Sequence, residues 1–159
     1  MLFGIGYDIH RLVKGRRLVL GGIVIDSPLG LEGYSDADVV IHAVCDAMLG
    51  AAALGDIGER FPDDDPRWKD ISSQVLLEHV AGLTKEKGLR ANNVDVVIIA
   101  QVPKLGSKKA EMRDKMARLL GLPSDRVNVK ATTTEGLGAV GEGKAIAAQA
   151  VVSLCEVLD

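Results

Sequence analysis

The chain holds 159 residues with 19 Lys+Arg against 22 Asp+Glu, a net charge of −3, so no basic surface argues for nucleic acid. Apolar residues make up 47%, which excludes a disordered chain, and aromatics only 3%, which excludes a base-stacking platform. Two cysteines, Cys45 and Cys155, are too few for a disulfide framework and fit a reducing cytoplasm. No apolar run nears the roughly 18 residues of a membrane span. The opening MLFGIGYDIHRL lacks a basic leader segment and reaches Asp8 too early for a signal peptide. A single domain over residues 1–159 is the expectation.

In chain order, Leu2 to His10 alternates as a strand does, Lys14-Gly15-Arg16-Arg17 turns it, and Leu18 to Ile25 reads as one or two short strands. Ser35 to Leu54 is a predicted helix. It opens Ser-Asp-Ala-Asp, a capping-box pattern that offers Ser35 and Asp38 a structural role, and is almost wholly apolar afterwards. A loop with Gly55, Gly58 and Phe61-Pro62-Asp63-Asp64-Asp65-Pro66 follows. A second helix is predicted over Ser72 to Lys87, with Val75, Leu76, Val80 and Leu83 on one stripe and Gly88 closing it. Asn93 to Ala100 (NVDVVIIA) reads as a strand buried on both faces. A third helix runs from about Ser107 to Leu120 and ends at Gly121 and Pro123. Arg126 to Ala131 is a strand feeding Thr132-Thr133-Thr134-Glu135. Lys144 to Leu158 stays open: its alanines favour helix, while Ile146, Ala148, Ala150, Val152 and Leu154 alternate like a strand. Strands alternating with helices imply an α/β or α+β fold around a mixed sheet.

The chemistry starts with Asp8 and His10, two residues apart and so on one face of a strand, with Gly4 and Gly6 leaving that face open to a close neighbour. A surface ion pair is the plain alternative. Asp38, His42 and Asp46, each four apart, form one polar stripe on an otherwise apolar helix, and a buried carboxylate needs a counter-charge. A divalent cation supplies one, with His42 as ligand and Asp38 or Asp46 orienting its ring; a structural hydrogen-bond network is the other reading. Asp8, His10 and His42 together suit zinc with a fourth position open to substrate. His79 reads as structural or exposed, and Cys45 as a small core residue. The N-terminus of the helix at Ser35 and the threonine loop are both anion-friendly, Glu135 could hold a second cation, and Lys104 stands at the mouth of a strand.

The blocks GYDIHR, SDADVVIHAVCDAMLGAAALGDIGERFPDDDP, NVDVVIIAQVPKL and NVKATTTEGLG run nearly end to end. In them the sequence resembles the 2-C-methyl-D-erythritol 2,4-cyclodiphosphate synthases of the non-mevalonate isoprenoid pathway. The resemblance implies an α+β, chorismate-mutase-like fold: a mixed sheet covered by helices, with sheets packed around the axis of a homotrimer and active sites between subunits. It also implies that the open C-terminal stretch is a strand. The implied substrate is 4-diphosphocytidyl-2-C-methyl-D-erythritol 2-phosphate, cyclised with release of CMP by a cytoplasmic enzyme.

By position, Asp8, His10 and His42 match the zinc ligands, and Glu135 the residue holding a Mg²⁺ or Mn²⁺ that bridges the two phosphates. Asp8, His10, Ser35 and the helix start after it would face phosphate. Asp56, Ile57, Gly58 and Asp63 would surround the methylerythritol, and Phe61 and Asp65 would also bind substrate. Ala100, Gln101, Pro103, Lys104, Leu105 and Gly106, with Ala131 and Thr132, match the cytidine pocket, Lys104 and Thr133 would contact the phosphates, and Thr134 would also bind substrate. Thr133 also matches a position credited with transition-state stabilisation. Tyr34 stands where the family commonly has a catalytic His; its hydroxyl can donate to phosphate but brings no charge. Ala139 and Glu142 replace the aromatic residue and Arg that many members carry near the threefold axis.

Overall fold

The computed structural model describes residues 1–157. Seven strands and five short or long α-helices follow one another as β1 (Leu2–Val13), β2 (Leu18–Leu20), β3 (Ile23–Ile25), β4 (Gly30–Leu31), α1 (Val39–Ala51), α2 (Ile57–Arg60), α3 (Ser73–Glu86), β5 (Leu89–Ile99), α4 (Lys109–Leu120), β6 (Val127–Thr132), α5 (Gly138–Gly141) and β7 (Ala145–Glu156). Five strands form one mixed sheet in the order β4-β1-β7-β5-β6, in which only β5 and β6 run parallel; β2 and β3 make a separate hairpin. This is the expected α+β architecture. The C-terminal stretch is a strand, as the resemblance implied, paired antiparallel to β1 on one side and β5 on the other. Its last expected residue, Leu158, lies outside the described residues.

Alternation along β1 divides the sheet into two faces. Gly4, Gly6, Asp8 and His10 point toward the helices, in register with Val152, Ala150, Ala148 and Ile146 of β7. The glycines matter because α1 lies directly on them: a Cβ at Gly6 would stand 1.9 Å from the Ala43 carbonyl oxygen, and one at Gly4 the same distance from that of Ala47. This approach brings His42, on α1, over Asp8 and His10. The core beneath α1 holds Ile41, Val44, Met48 and Leu49, all fully buried, each contributing about 1.5–3 kcal/mol.

The opposite face is apolar yet uncovered by most of this chain. Phe3, Ile5, Tyr7 and Ile9 of β1 and Val151 of β7 are 44–67% exposed there. Hence the expectation that Asn93 to Ala100 is buried on both faces is corrected: Val94, Val96 and Ile98 are fully buried under the helices, whereas Val97 and Ile99 on the open face are half-buried. The α3 stripe also shifts. Leu76, Leu77 and Val80 are buried, but Val75 is 45% exposed. The two-residue β4, unforeseen, exists by pairing Leu31 and Gly30 with Leu12 and Val13.

Candidate active site

Helix α1 begins four residues later than its sequence pattern suggests, and this reassigns the polar groups at its start. Its N-cap is Asp38, not Ser35: the Asp38 carboxylate accepts from the Val40 and Ile41 N–H groups, each at 3.1 Å. The same carboxylate accepts from Gly21 N–H at 2.9 Å and Gly22 N–H at 2.6 Å, clamping the β2–β3 turn onto the helix. Burial, with the Asp36 charge nearby, pushes the Asp38 carboxyl up, and the Gly22, Ile41 and Gly21 N–H groups work against that. Asp46 accepts from Ile57 N–H at 2.8 Å, tying α2 to α1, and is raised by its burial. Neither orients His42. The expectation that one of them does fails because an N-cap carboxylate folds back onto its own helix amides, and Asp46 is taken by the next loop.

The expected ligand trio does converge. His10 Nε2 lies 2.9 Å and His42 Nδ1 3.0 Å from Asp8 Oδ2, and the two nitrogens are 3.2 Å apart. His10 Nδ1–H donates to the Glu32 carbonyl at 2.7 Å, because a carbonyl can only accept. His42 Nε2 meets Ser73 Oγ at 2.9 Å and Ser35 Oγ at 3.1 Å. Ser73 Oγ–H in turn donates to the Asp36 carboxylate, so its oxygen accepts from His42 Nε2–H. With both outer nitrogens donating, each ring turns a lone pair inward, toward a carboxylate oxygen. Without a cation, protonation of those inward nitrogens makes them donors to Asp8 instead, and their hydrogen bonds and charge outweigh its burial and hold the Asp8 carboxyl well below the usual carboxylate range. His10 loses some basicity to burial and gains more from Asp8, so it is raised.

Three inward-facing acceptors at such separations repel one another unless a cation sits among them. A tetrahedral ion with bonds of about 2.0–2.1 Å needs ligand atoms roughly 3.3 Å apart, close to the observed triangle. Among the described residues these three are the single group of His, Cys, Asp and Glu side chains that could hold a metal ion. They floor a cleft of about 330 Å³ whose walls include Gly33, Tyr34 and Ser35 on one side. Ile57, Gly58, Phe61, Asp63, Trp68 and Leu76 complete it. Gly33 is required: a Cβ there would stand 2.8 Å from the Ala37 Cβ and 3.2 Å from His10 Cε1. Ser35 Oγ accepts from Ala37 N–H at 3.1 Å, and its own proton is free to point into the cleft. His79 stacks edge-on against Phe61 and Trp68, behind the cleft wall.

Other expected site residues fall elsewhere. Asp56 N-caps α2 through the Glu59 N–H at 2.9 Å. Asp65 is outside the cleft lining, its carboxylate held by Arg67 at 2.6 Å. Ala100, Gln101, Pro103, Lys104 and Gly106, with Ala131 to Glu135, gather at the far edge of the sheet. There Ala100 N–H donates to the Thr132 carbonyl at 2.9 Å, and Gly136 N–H to Gln101 Oε1 at 3.3 Å. Glu135, Lys104 and Thr133 are exposed, and Glu135 sits at φ +53° with its N–H donating to Thr133 Oγ1 at 3.2 Å. Leu105 is buried, which leaves its backbone as the accessible part. Asp8 is in register with Ala148, Ala148 with Ile98, and Ile98 with Ala131. Three strand spacings therefore part Asp8 from Ala131 by about 14 Å. Sequence reasoning missed Asp36, Ser73 and Trp68; the Ser72-Ser73 pair carried a signal, but one that reads as a helix cap.

Comparison with known proteins finds similar ones over nearly the whole chain. A protein of Desulfosudis oleivorans named 2-C-methyl-D-erythritol 2,4-cyclodiphosphate synthase is 58% identical over 156 residues, 98% of this chain and 93% of its own. One of the same name from Gloeobacter violaceus is 57% identical, covering 98% and 96%. Among solved structures, a CDP-bound form of such a synthase superposes with a TM-score of 0.89 at 41% identity, over 96% of this chain and 99% of that one. The bifunctional IspDF of Campylobacter jejuni matches with a TM-score of 0.94 at 41% identity over 98% of this chain; the chain spans 42% of that protein's length. Residues 1–155 match the YgbB family, and the chain belongs to it.

Proposed function

We propose that the chain converts 4-diphosphocytidyl-2-C-methyl-D-erythritol 2-phosphate into 2-C-methyl-D-erythritol 2,4-cyclodiphosphate and CMP. An oxygen of the 2-phosphate bonds to the β-phosphorus, the bond from that phosphorus to the bridging oxygen breaks, and CMP departs with the electron pair. The nucleophile is already an anion, so no activated serine or thiol is needed. The protein's task is to align two phosphates that repel one another and to offset the charge that grows on the leaving group.

The observation that carries this reading is the inward-facing triangle of Asp8, His10 and His42 in a cleft rimmed by a free hydroxyl at Ser35. Those three side chains are proposed to hold Zn²⁺, which when bound would supply positive charge to a phosphate oxygen. Ser35 Oγ–H and the Tyr34 hydroxyl donate to the same phosphate; Tyr34 does so without the charge a histidine could bring. Ile57, Gly58, Phe61 and Asp63 line the place for the methylerythritol, with the Asp63 carboxylate as acceptor for its hydroxyls. Lys104 and Thr133 hold the diphosphate, Glu135 would hold a Mg²⁺ or Mn²⁺ that supplies positive charge there, and the Ala100–Gly106 loop takes the cytidine.

Within one chain these halves belong to strands two and three places apart in the sheet, about 14 Å between Asp8 and Ala131, and the open sheet face bearing Phe3, Ile5, Tyr7 and Ile9 is apolar. Both features support a homotrimer that buries this face and completes each site from two neighbours. The site is then absent from the monomer. No helix of the described residues is long and apolar enough to cross a membrane, in keeping with a cytoplasmic enzyme.

The test supplies the diphosphocytidyl substrate and follows phosphorus NMR with and without EDTA. CMP and the cyclic product are expected in equal amounts, and only with metal present. Turnover that survives complete metal removal, or an uncyclised phosphate product, would overturn the proposal.

A further inference from the structure

We infer that Asp36 and Ser73 are positioning residues for His42: they lock its ring in the tautomer that turns the Nδ1 lone pair toward Asp8 and His10. The inference rests on reading those three side chains as a cation site. Its own content is a direction of proton donation set from outside the site.

That direction follows from counting protons. A serine hydroxyl carries one, and Ser73 Oγ–H gives its own to Asp36 Oδ1. A carboxylate only accepts, so the chain of bonds cannot run the other way while Asp36 is ionised. Ser73 Oγ, 2.9 Å from His42 Nε2, must then receive the ring proton. Once Nε2 is protonated, a neutral ring has its lone pair on Nδ1, 3.0 Å from Asp8 Oδ2 and 3.2 Å from His10 Nε2. Ser35 Oγ also approaches Nε2, at 3.1 Å, but its proton is uncommitted, so it accepts or donates equally well and selects no tautomer.

The backbone holds this relay firmly. Asp36 Oδ2 accepts from Ser73 N–H at 3.0 Å, so the carboxylate grips both the amide and the hydroxyl of the first residue of α3. Asp36 Oδ1 also accepts from Asp38 N–H at 3.2 Å, and Asp36 N–H donates to the Ile71 carbonyl at 3.0 Å. Between the two aspartates Ala37, fully buried, sits at φ +58°, a left-handed turn that alanine adopts only when its surroundings enforce it. The turn sends Asp36 toward α3 and Asp38 toward the β2–β3 hairpin. Ser73 is itself fully buried, so water cannot substitute for its hydroxyl.

Two substitutions separate orientation from folding. Ser73→Ala removes the acceptor and lets His42 adopt the tautomer whose Nδ1–H donates to Asp8, which closes the lone pair. Asp36→Asn keeps nearly the same shape but makes one acceptor a donor. Neither orientation of the amide can then satisfy the three N–H and O–H groups that Asp36 receives. Metal-free wild type and both variants are titrated with Zn²⁺ against a chelator of known affinity. Loss of such an outer partner typically weakens binding about 10–100-fold, and that loss is expected for both variants with unchanged far-ultraviolet dichroism. In parallel, ¹⁵N shifts of the His42 ring in the metal-free proteins, at a pH where imidazoles are neutral, should show Nε2–H in wild type and a mixture in Ser73→Ala. Wild-type affinity in both folded variants, or an Nδ1–H ring in wild type, would overturn the relay. If wild-type protein takes up no Zn²⁺ the cation site itself fails, and the ring shifts then decide the relay alone.

Discussion

A methyl group added at Gly6 should disable the proposed metal site from beneath. The Cβ of Gly6→Ala would stand 1.9 Å from the Ala43 carbonyl oxygen and 2.8 Å from the Ala47 amide nitrogen, where ordinary contacts begin near 3.4 Å. Both are helix backbone, which no side-chain rotation can clear, so α1 must move off β1 by about 1.5 Å. Overpacking of this kind costs about 3 kcal/mol, or a fall in melting temperature of roughly 6–12 °C for a chain of this size. His42 rides on α1 and Asp8 on β1, and their 3.0 Å contact spans that same gap. Constellations of this type tolerate displacements of about 0.5 Å, so Zn²⁺ retention and turnover should fall about 100-fold or more. Calorimetry, metal analysis after dialysis and steady-state assays measure the three effects. A Gly6→Ala protein with wild-type melting temperature and one tightly held Zn²⁺ per chain would refute the claim that close helix–strand contact builds the site.

Asp38→Ala should remove the α1 N-cap and leave the Gly21 and Gly22 N–H groups without an acceptor, a loss of about 3 kcal/mol readable by urea denaturation. In the metal-free chain the depressed Asp8 stabilises above the unfolded value near ~3.9, and this is lost as pH falls through the folded one. The raised His10 stabilises fully below ~6.5, and this is lost as pH rises through its folded value. Metal-free protein should thus be most stable between those limits. Zn²⁺, which needs deprotonated ligands, should raise the melting temperature most above neutrality and least below about pH 5; a pH-independent rise would contradict the ligand set. Lys104→Ala and Glu135→Gln should each lower turnover about 100-fold while Zn²⁺ stays bound, because neither belongs to the Asp8, His10 and His42 cluster nor lines its cleft.

How much of this was legible in the sequence depends on whether a local pattern decided the outcome. The alternation of Leu2 to His10 was enough for β1, because one face meets α1 and the other does not. The alanines of β7 fit either periodicity. What settles a strand there is partnership on both sides, with β1 and β5, and small side chains that let α1 sit close. Strand β4 has two residues and no pattern of its own; the chain doubling back on Leu12 and Val13 creates it. Apolar continuity in Asn93 to Ala100 suggested two covered faces, yet the residues of the second face meet little of their own chain. An apolar face can await another subunit, and its composition does not say which surface covers it.

The same contrast runs through the site. Asp8, His10 and His42 were legible because strand and helix periods alone place each on a known face. Asp38 was misread because a four-residue spacing fixes a stripe but not what its first member does, and a carboxylate at a helix start is drawn to its own helix amides. The outer support of His42 spans 37 residues, from Asp36 to Ser73, and no period connects them. Lys104, the threonine loop and Glu135 stood out as anion- or cation-friendly groups, but only the resemblance gave them roles, since topology rather than local pattern decides where they lie relative to Asp8. Lys104 follows β5 and Thr133 and Glu135 follow β6, the strands two and three places from β1, and a sheet cannot fold across itself to bring those edges together. If one substrate touches both groups, the second must come from a neighbouring chain. On that argument assembly is part of the active site: a substitution that charges the open face, such as Ile5→Lys, should abolish turnover while each chain still binds Zn²⁺. Turnover by a monomer of that variant, shown by sedimentation at assay concentration, would defeat the argument.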